Sequence, residues 1–499
     1  MKNFRCLIRL VRRSVLTFLF VGVLCFHLTA QKSFIPFKVS EKDSLLEQLV
    51  NKRFNAEKDT IRFPEKEGKA FITEQCSLRS EYIKSALLDE MFLTGSFIDQ
   101  YVQKIVAEIE RANPTYKGRI TVRVSRDPEP NAYALGNGIV VFNIGMLYQV
   151  TSEAEIAFIL CHEFAHDIFQ HSNESIYTTA LRVSDEELKK QLEETVKEEY
   201  NVKKKVIALL MPGLKKSRQY SRALELQADS MGLALLKNTK YSVAGAVNGM
   251  DVLDAIDVWD KNKELTLKSY FTIPQVPLKG YLFEYSGESS LGGGFTVEKD
   301  SLTDSLKTHP DCKVRKEALQ KMAGTAGIAG LFLQPEEDFK RMKFETDGEL
   351  IQLLLDWQNV DYSVYYSLYS LEKYPSCYYA KSVLSLSLAF LSKEKKNLSS
   401  SKYMRYNGPD YSDNFNRLLY FLTEINPEDC ASLAYWMLRP ANSEEGDTEI
   451  HLAAMTLSAY SAGKNDEYLA LRTKYDTVYP EGRYVDFLPR KSVESKKKK

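Results

Sequence analysis

The chain has 499 residues, of which 44% are hydrophobic and 27% charged, a composition typical of a globular protein large enough for two or three domains. Its 67 Lys and Arg residues balance 67 Asp and Glu residues, so the net charge is zero. Such a balance lacks the basic surplus typical of nucleic-acid-binding proteins, and we expect no nucleic-acid partner.

Residues 1–30 have the pattern of a secretory signal. Basic residues fill the first part, the apolar run Val15–Phe26 follows, and Ala30 offers a small residue at a cleavage site. The alternative is an uncleaved signal that anchors the chain, although this apolar run is short for a membrane span. Since no later segment reaches 18 apolar residues, the sequence predicts an exported protein without a further span.

The segment that follows predicts a mixed α and β structure. Residues 31–75 are polar and are assigned to an N-terminal extension. Ser96–Ala112 places its apolar residues on one helical face, whereas Arg119–Val124 alternates as a strand with one buried face. Gly138–Asn143 is predicted as a second strand. An exposed strand edge here would suit an extended peptide, and the alternative is a hairpin buried in the core.

The pentapeptide His162–His166 reads H-E-x-x-H within an apolar run that predicts a buried helix. Positions i and i+4 lie on one face of a helix, so His162 and His166 can hold one Zn²⁺ through neutral imidazoles. Glu163 can then act as the general base on the water at that metal. The alternative, an ordinary polar patch, would bury two imidazoles and a carboxylate without partners, which is costly.

A second apolar helix is predicted to supply the third ligand. It carries Glu225 and Asp229 at i and i+4. Burying two carboxylates is costly unless each has a partner. We interpret Glu225 as a metal ligand and Asp229 as the acceptor for a ligand imidazole. The alternative is a surface acidic pair. The acids between Ser184 and Glu199 are interpreted instead as the solvated face of an amphipathic helix.

These segments resemble the zinc metalloendopeptidase family that includes the CAAX prenyl protease and the HtpX quality-control protease. That family pairs an H-E-x-x-H helix with a later E-x-x-x-D helix, and Thr308-His309-Pro310 is similar to its late H-P element. The resemblance also implies that an N-A-x-A segment leads into a strand at the edge of the active-site sheet. The substrate-binding residues at that edge are then Asn131, Ala132, Tyr133 and Ala134.

The resemblance implies one Zn²⁺ per chain and an α+β fold. We expect a mainly helical, zincin-like catalytic domain with a small β-sheet over residues 76–330, followed by an all-α helical-repeat domain over residues 345–490. Residues 491–499 are expected to be a disordered basic tail. In overall plan the chain is most similar to periplasmic proteases that promote β-barrel assembly, with a signal, a catalytic domain and helical repeats.

His309 has three interpretations. It occupies the open zinc position and keeps the enzyme latent, it stabilises the oxyanion, or it caps the helix after Pro310. The resemblance favours latency. A Gly-rich run at residues 286–294 precedes His309 and is expected to be mobile.

The C-terminal part predicts successive short helices. Tyr374-Pro375, Asn426-Pro427 and Tyr479-Pro480 mark breaks like those that end tetratricopeptide helix pairs, at irregular spacing. We expect a degenerate tetratricopeptide-like domain, and a plain helical bundle is the alternative.

The sequence and the resemblance together predict an extracytoplasmic, periplasmic zinc metalloendopeptidase. Its substrates would be misfolded or unassembled envelope polypeptides, and its helical repeats would contact the outer-membrane assembly machinery. The alternative is a chaperone or assembly scaffold that acts through the helical repeats and has a latent zinc site.

Overall fold

A computed structural model of the chain describes residues 33–39, 43–197, 221–255, 265–285, 312–324, 330–408, 411–439 and 448–489. The chain divides into two compact units. One of them, here called the peptidase unit after the catalytic domain that the sequence predicts in it, comprises the described residues within Phe37–Trp259 and Gly293–Thr346. The other, the helical unit, comprises the described residues within Met1–Pro36, Asp260–Gly292 and Asp347–Lys499.

The peptidase unit begins with two long helices, α1 (Ser44–Thr60) and α2 (Lys66–Leu88). Asp43 is the N-cap of α1, where its carboxylate accepts the amide of Leu46. These helices and the sheet share one apolar cluster, so much of the segment assigned to a polar extension packs with the peptidase unit. The buried members of the cluster are Leu46, Val50, Phe54, Ile83, Leu87, Phe92, Ile139 and Val141.

A small sheet follows helix α3 (Phe97–Ala112), which Ser96 caps as its sequence position predicts. Strand β3 (Ile139–Asn143) is central, with β1 (Thr121–Ser125) parallel to it on one side and β2 (Ala132–Gly136) antiparallel on the other. All five residues of β3 are buried, as expected for the middle strand. The predicted substrate strand β2 therefore lies at an edge of the sheet.

The pentapeptide lies on α5 (Glu153–Ile168), which follows the short helix α4 (Ile144–Gln149). The amide of Glu155 donates to Ser152 Oγ at 3.4 Å, as a capping box requires. The carboxylate of Glu155 accepts the amide of Thr151 rather than that of Ser152, so the reciprocal bond of the box is made one residue before the N-cap. Lys343 caps the C-terminus of α4, the helix before α5, by donating to the carbonyls of residues 147, 148 and 150.

Glu153 anchors the first turn of α5 to three other segments. Its side chain is fully buried and accepts hydrogen bonds from the hydroxyls of Tyr101 and Tyr241. The backbone amides of Leu333 and Gln334 also donate to it, at 2.9 and 3.2 Å. This network fixes the start of the helix that carries the two histidines.

The other helices of the peptidase unit complete the surroundings of α5. Helix α9 (Ala244–Asp254) packs closely on α5, since a Cβ at Gly245 would lie 2.2 Å from the carbonyl oxygen of Ala154. The remaining helices are α6 (His171–Val183), α7 (Glu186–Val196), α8 (221–237) and α11 (Cys312–Ala323).

The described helices of the helical unit are α10 (Leu267–Phe271), the end of α12 (Glu336–Asp356), α13 (Val360–Lys373), α14 (Tyr378–Lys396), α15 (Asp413–Glu424), α16 (Pro427–Leu438), α17 (Glu449–Ser461) and α18 (Asn465–Val478). The unit is built around α14, which packs against α13, α16 and α17. Helices α13 and α14, α15 and α16, and α17 and α18 follow one another as three pairs, and the interval between the pairs is irregular because residues 397–412 separate the first two.

A mainly helical protein with one small sheet is confirmed, whereas the tetratricopeptide-like character of the helical unit stays a prediction. Within the described ranges, none of the helices combines the length and apolar character needed to cross a membrane. The predicted signal at residues 1–30 and the basic tail at 491–499 lie outside the described residues.

Candidate metal centre

His162 and His166 project from one face of α5, as the i and i+4 spacing requires. Their Nε2 atoms lie 3.0 Å apart, and their rings meet edge to face. His162 is almost fully buried, whereas 15% of the His166 side chain is exposed. The two imidazoles therefore present one nitrogen each to a common point at the edge of the interior.

Helix α8 brings Glu225 to the same point. Its Oε2 lies 3.6 Å from Nε2 of His162, and its Oε1 lies 3.5 Å from Nε2 of His166. Zinc bound tetrahedrally at about 2.0–2.1 Å separates its ligand atoms by about 3.3 Å. The two imidazole nitrogens are 3.0 Å apart, and each has a different oxygen of Glu225 at 3.5–3.6 Å, so the three residues present donor atoms at spacings that fit a zinc ion.

Helices α5 and α8 approach each other closely at Gly232. A Cβ at Gly232 of α8 would lie 3.0 Å from both the Cα and the backbone N of His162. Backbone atoms in a helix cannot move aside easily, so a side chain here would separate the helices. The absence of a side chain thus allows Glu225, two turns earlier on α8, to reach the histidines.

Asp229 supports His162, as the sequence predicts. The Nδ1 of His162 lies 3.0 Å from Oδ1 of Asp229, whose side chain is fully buried. Burial acts to raise the pKa of Asp229, but hydrogen bonds from Arg315 and His162 outweigh it and lower that pKa to about 2. Burial acts to lower the pKa of His162, and the bond to Asp229 raises it above 6.5. Asp229 is therefore an anion that fixes the orientation of the His162 ring.

Arg315 is the residue of the site that sequence reasoning missed. It is 1% exposed, its Nη1 lies 2.7 Å from Oε2 of Glu225, and it also binds Asp229. Cys312, Arg315 and Leu319 are the buried residues of α11, at helical spacing. A basic residue within an apolar stripe was the available signal, because two buried acids nearby require a cation.

Glu163 contacts the predicted substrate strand. Its Oε2 accepts the backbone amide of Ala134 at 2.8 Å, and Ser172 Oγ donates to the carbonyl of Ala134 at 3.0 Å. Both outward-facing backbone groups of Ala134 thus bind side chains of the peptidase unit. The sheet edge adjoins the candidate base, as the substrate-strand interpretation requires.

The other predicted edge residues are placed by the same strand pairing. Ala132 and Tyr133 pair with Phe142 and Val141 of β3, and the carbonyl of Asn131 accepts the amide of Asn143. His309, the candidate regulatory residue, lies outside the described residues, so its three interpretations stay open.

A polar cavity of about 530 Å³ adjoins His166 at the turn between β2 and β3. Arg53 supports that turn by donating to the carbonyls of Asn137 and Gly138. Asp167 accepts the amide of Gly138 at 2.6 Å, while burial raises the pKa of Asp167. Charged and amide side chains dominate the lining, so the cavity suits a polar group.

Two imidazole nitrogens, a buried carboxylate and an adjacent glutamate define a metal-dependent hydrolase centre of the zincin-like class, set beside the edge of a small sheet. Residues 96–323 match the sequence model of Peptidase family M48. That segment is therefore similar to the M48 peptidases, which supports the predicted zinc metalloendopeptidase domain.

The chain is also similar to the mitochondrial metalloendopeptidase OMA1 of Schizosaccharomyces pombe (strain 972), with 28% identity over 164 residues. The matched stretch covers 32% of this chain and 44% of that relative. The chain thus matches less than half the length of the relative, and similarity in plan to the β-barrel assembly-promoting proteases stays a prediction.

Proposed function

We propose that the chain is a zinc metalloendopeptidase whose ligands are His162, His166 and Glu225. The observation that carries the proposal is the cluster of His162, His166 and Glu225, in which the imidazole nitrogens are 3.0 Å apart and each has a Glu225 oxygen at 3.5–3.6 Å; Glu163 follows His162 directly on the same helix. When bound, zinc polarises the scissile carbonyl and lowers the pKa of the attacking water toward about 7.

Glu163 and Asp229 have separate roles in the proposed reaction. Glu163 takes the proton of the attacking water and returns it to the leaving amine. Its bond to the Ala134 amide holds the carboxylate next to the sheet edge, where the peptide is expected. Asp229 keeps Nδ1 of His162 protonated, so that Nε2 of the same ring retains its lone pair for the metal.

The substrate is proposed to be an extended polypeptide that lies along β2. An added strand would gain backbone hydrogen bonds from β2 whatever the side chains of the peptide, once Glu163 and Ser172 release the amide and carbonyl of Ala134 that they now bind. The cavity beside His166 lies in the same unit and would accept a polar side chain of the substrate. Such a site suits unfolded chains of varied sequence.

The proposed compartment rests on the signal that the sequence predicts at residues 1–30. We propose export to the periplasm and cleavage of misfolded or unassembled envelope proteins. The helical unit, with its three successive helix pairs, is proposed to be a degenerate tetratricopeptide-like platform that contacts the outer-membrane assembly machinery. An uncleaved signal would instead leave the protein anchored in the membrane.

Glu163→Gln tests the enzyme against the scaffold alternative in the native cell. The variant should bind zinc, accumulate uncleaved envelope polypeptides and fail to replace the parent chain. Full complementation by Glu163→Gln would show that the helical unit carries the essential function. A matched variant at the exposed Glu174, Glu174→Gln, should behave as the parent.

A further inference from the structure

The two ligand histidines have different partners on their far nitrogens. His162 directs Nδ1 to the carboxylate of Asp229, whereas His166 directs Nδ1 to Nδ1 of His171 at 2.9 Å. The Nε2 of His171 in turn lies 3.1 Å from Oε1 of Gln227 on α8. One imidazole is thus supported by a carboxylate and the other by a second imidazole.

When His166 binds a metal, the contacts from His166 to His171 and from His171 to Gln227 allow only one arrangement of protons. Nε2 of His166 must offer a lone pair, so its Nδ1 carries the proton and donates to His171. Nδ1 of His171 must then accept, which places the proton of His171 on Nε2. That proton faces the amide oxygen of Gln227, which is an acceptor.

The ring of His171 is held firmly for this role. Its side chain is 4% exposed, and it stacks on Phe169 with ring centroids 5.4 Å apart. It is the first residue of α6, directly after Gln170, whose φ of 57° separates α6 from α5. His171 cannot join the ligand cluster, because it meets His166 on the nitrogen opposite the metal-facing one.

We propose that His171 is a positioning residue that fixes the tautomer and ring orientation of His166 for zinc, with Gln227 fixing the tautomer of His171. The inference rests on the proposed zinc function. Loss of such a partner costs about 10- to 100-fold in metal affinity. Gln227 lies at the surface, where water can replace its amide, so its loss should cost less than the loss of His171.

Zinc release measures the effect without peptidase activity. The full chain with Glu163→Gln is loaded with zinc, and the metal is withdrawn by a chelator. His171→Leu should speed release by about 10- to 100-fold. His171→Asn, whose amide oxygen can take the place of the accepting nitrogen, should restore most of the difference, and Gln227→Leu should lie between the parent and His171→Leu.

His451 supplies the matched control, since it is a buried histidine of the helical unit that contacts Ser382. His451→Asn should leave zinc release unchanged. Equal release from the parent and His171→Leu overturns this inference and leaves the proposed function standing. Failure of the parent to bind one zinc overturns the proposed function and this inference with it.

Nitrogen NMR of the histidines tests the proposal without a variant at position 171, so it holds even if His171→Leu does not fold. In the zinc-loaded chain His166 should carry its proton on Nδ1 and His171 on Nε2. A proton on Nδ1 of His171 would contradict the proposal.

Discussion

Arg315 binds Asp229 with two parallel hydrogen bonds, from Nε to Oδ2 and from Nη2 to Oδ1, each 2.7 Å long. Both side chains are almost fully removed from solvent. The guanidinium links α11, which follows the segment of His309, to the acid that supports a metal ligand. A buried charge pair of this geometry is costly to break on one side.

Arg315→Met should destabilise the metal-free protein by about 3–5 kcal/mol, since Asp229 and Glu225 would remain buried without their cation. The thermal unfolding midpoint of the metal-free chain measures this. The neighbouring Lys316→Met is the control, because Lys316 pairs with the exposed Asp251 and should matter by about 1 kcal/mol or less. Similar small shifts for both variants would be inconsistent with the buried pair.

Glu153→Gln should destabilise the peptidase unit by about 2 kcal/mol, because an amide group would face hydrogen-bond donors where the carboxylate now accepts four bonds. Hydrogen exchange of the amides of α5 would detect the loosened helix start. The exposed Glu174→Gln should leave exchange as in the parent, and unchanged exchange in both variants would argue against the anchoring role.

Gly232→Ala should weaken zinc binding, since its Cβ would press on the backbone of His162 and move Glu225 away from the histidines. Gly249→Ala is the matched control, because the nearest atoms to its Cβ would be side-chain atoms, of Phe158 at 3.2 Å and of Ile159 at 4.0 Å, and side chains can shift. Competition with a chromophoric chelator gives both affinities. Equal affinities would indicate that the contact between α5 and α8 tolerates a methyl group.

Lowering the pH should reduce the contribution that the ion pair between Asp43 and Arg123, 2.6 Å long, makes to the stability of the fold. Burial acts to raise the pKa of Asp43, but the bonds from Arg123 and the Leu46 amide outweigh it and hold that pKa below 3.8. A depressed carboxyl pKa stabilises the fold above about pH 3.8, and this stabilisation is lost as the pH falls through the lower folded value.

Asp43→Asn keeps the N-cap and removes the charge. It should be less stable than the parent at neutral pH by about 1–2 kcal/mol, and the difference should shrink toward pH 3 and below. Chemical unfolding of both proteins across this pH range supplies the comparison. A difference that stays constant with pH would show that the carboxylate charge has no part in stability.

The sequence predicted the local parts of the site well. Helical spacing placed His162 with His166 and Glu225 with Asp229, and the structure brings all four together. It did not predict Arg315, because a contact between α8 and α11 joins residues 86 positions apart, which no local pattern encodes. The role of Gly232 was equally hidden, since a glycine within a helix does not show which backbone it faces.

The strand order was also beyond local reasoning. Alternation predicted β1, and Gly138–Asn143 was predicted as a second strand, but the central place of β3 depends on long-range pairing. Helix α1 and the start of α2 were missed within the polar extension of residues 31–75 because their apolar faces are narrow and are covered only when they pack on the sheet. Tertiary packing, rather than propensity, decides such segments.

The central claim is that His162, His166 and Glu225 hold one zinc ion that works with Glu163. The most direct test measures bound zinc and cleavage of an unfolded polypeptide for the parent, Glu163→Gln and Glu225→Ala. The account predicts one zinc per chain with cleavage for the parent, one zinc without cleavage for Glu163→Gln, and loss of both for Glu225→Ala. Undiminished cleavage by Glu163→Gln, or full zinc content in Glu225→Ala, would contradict it.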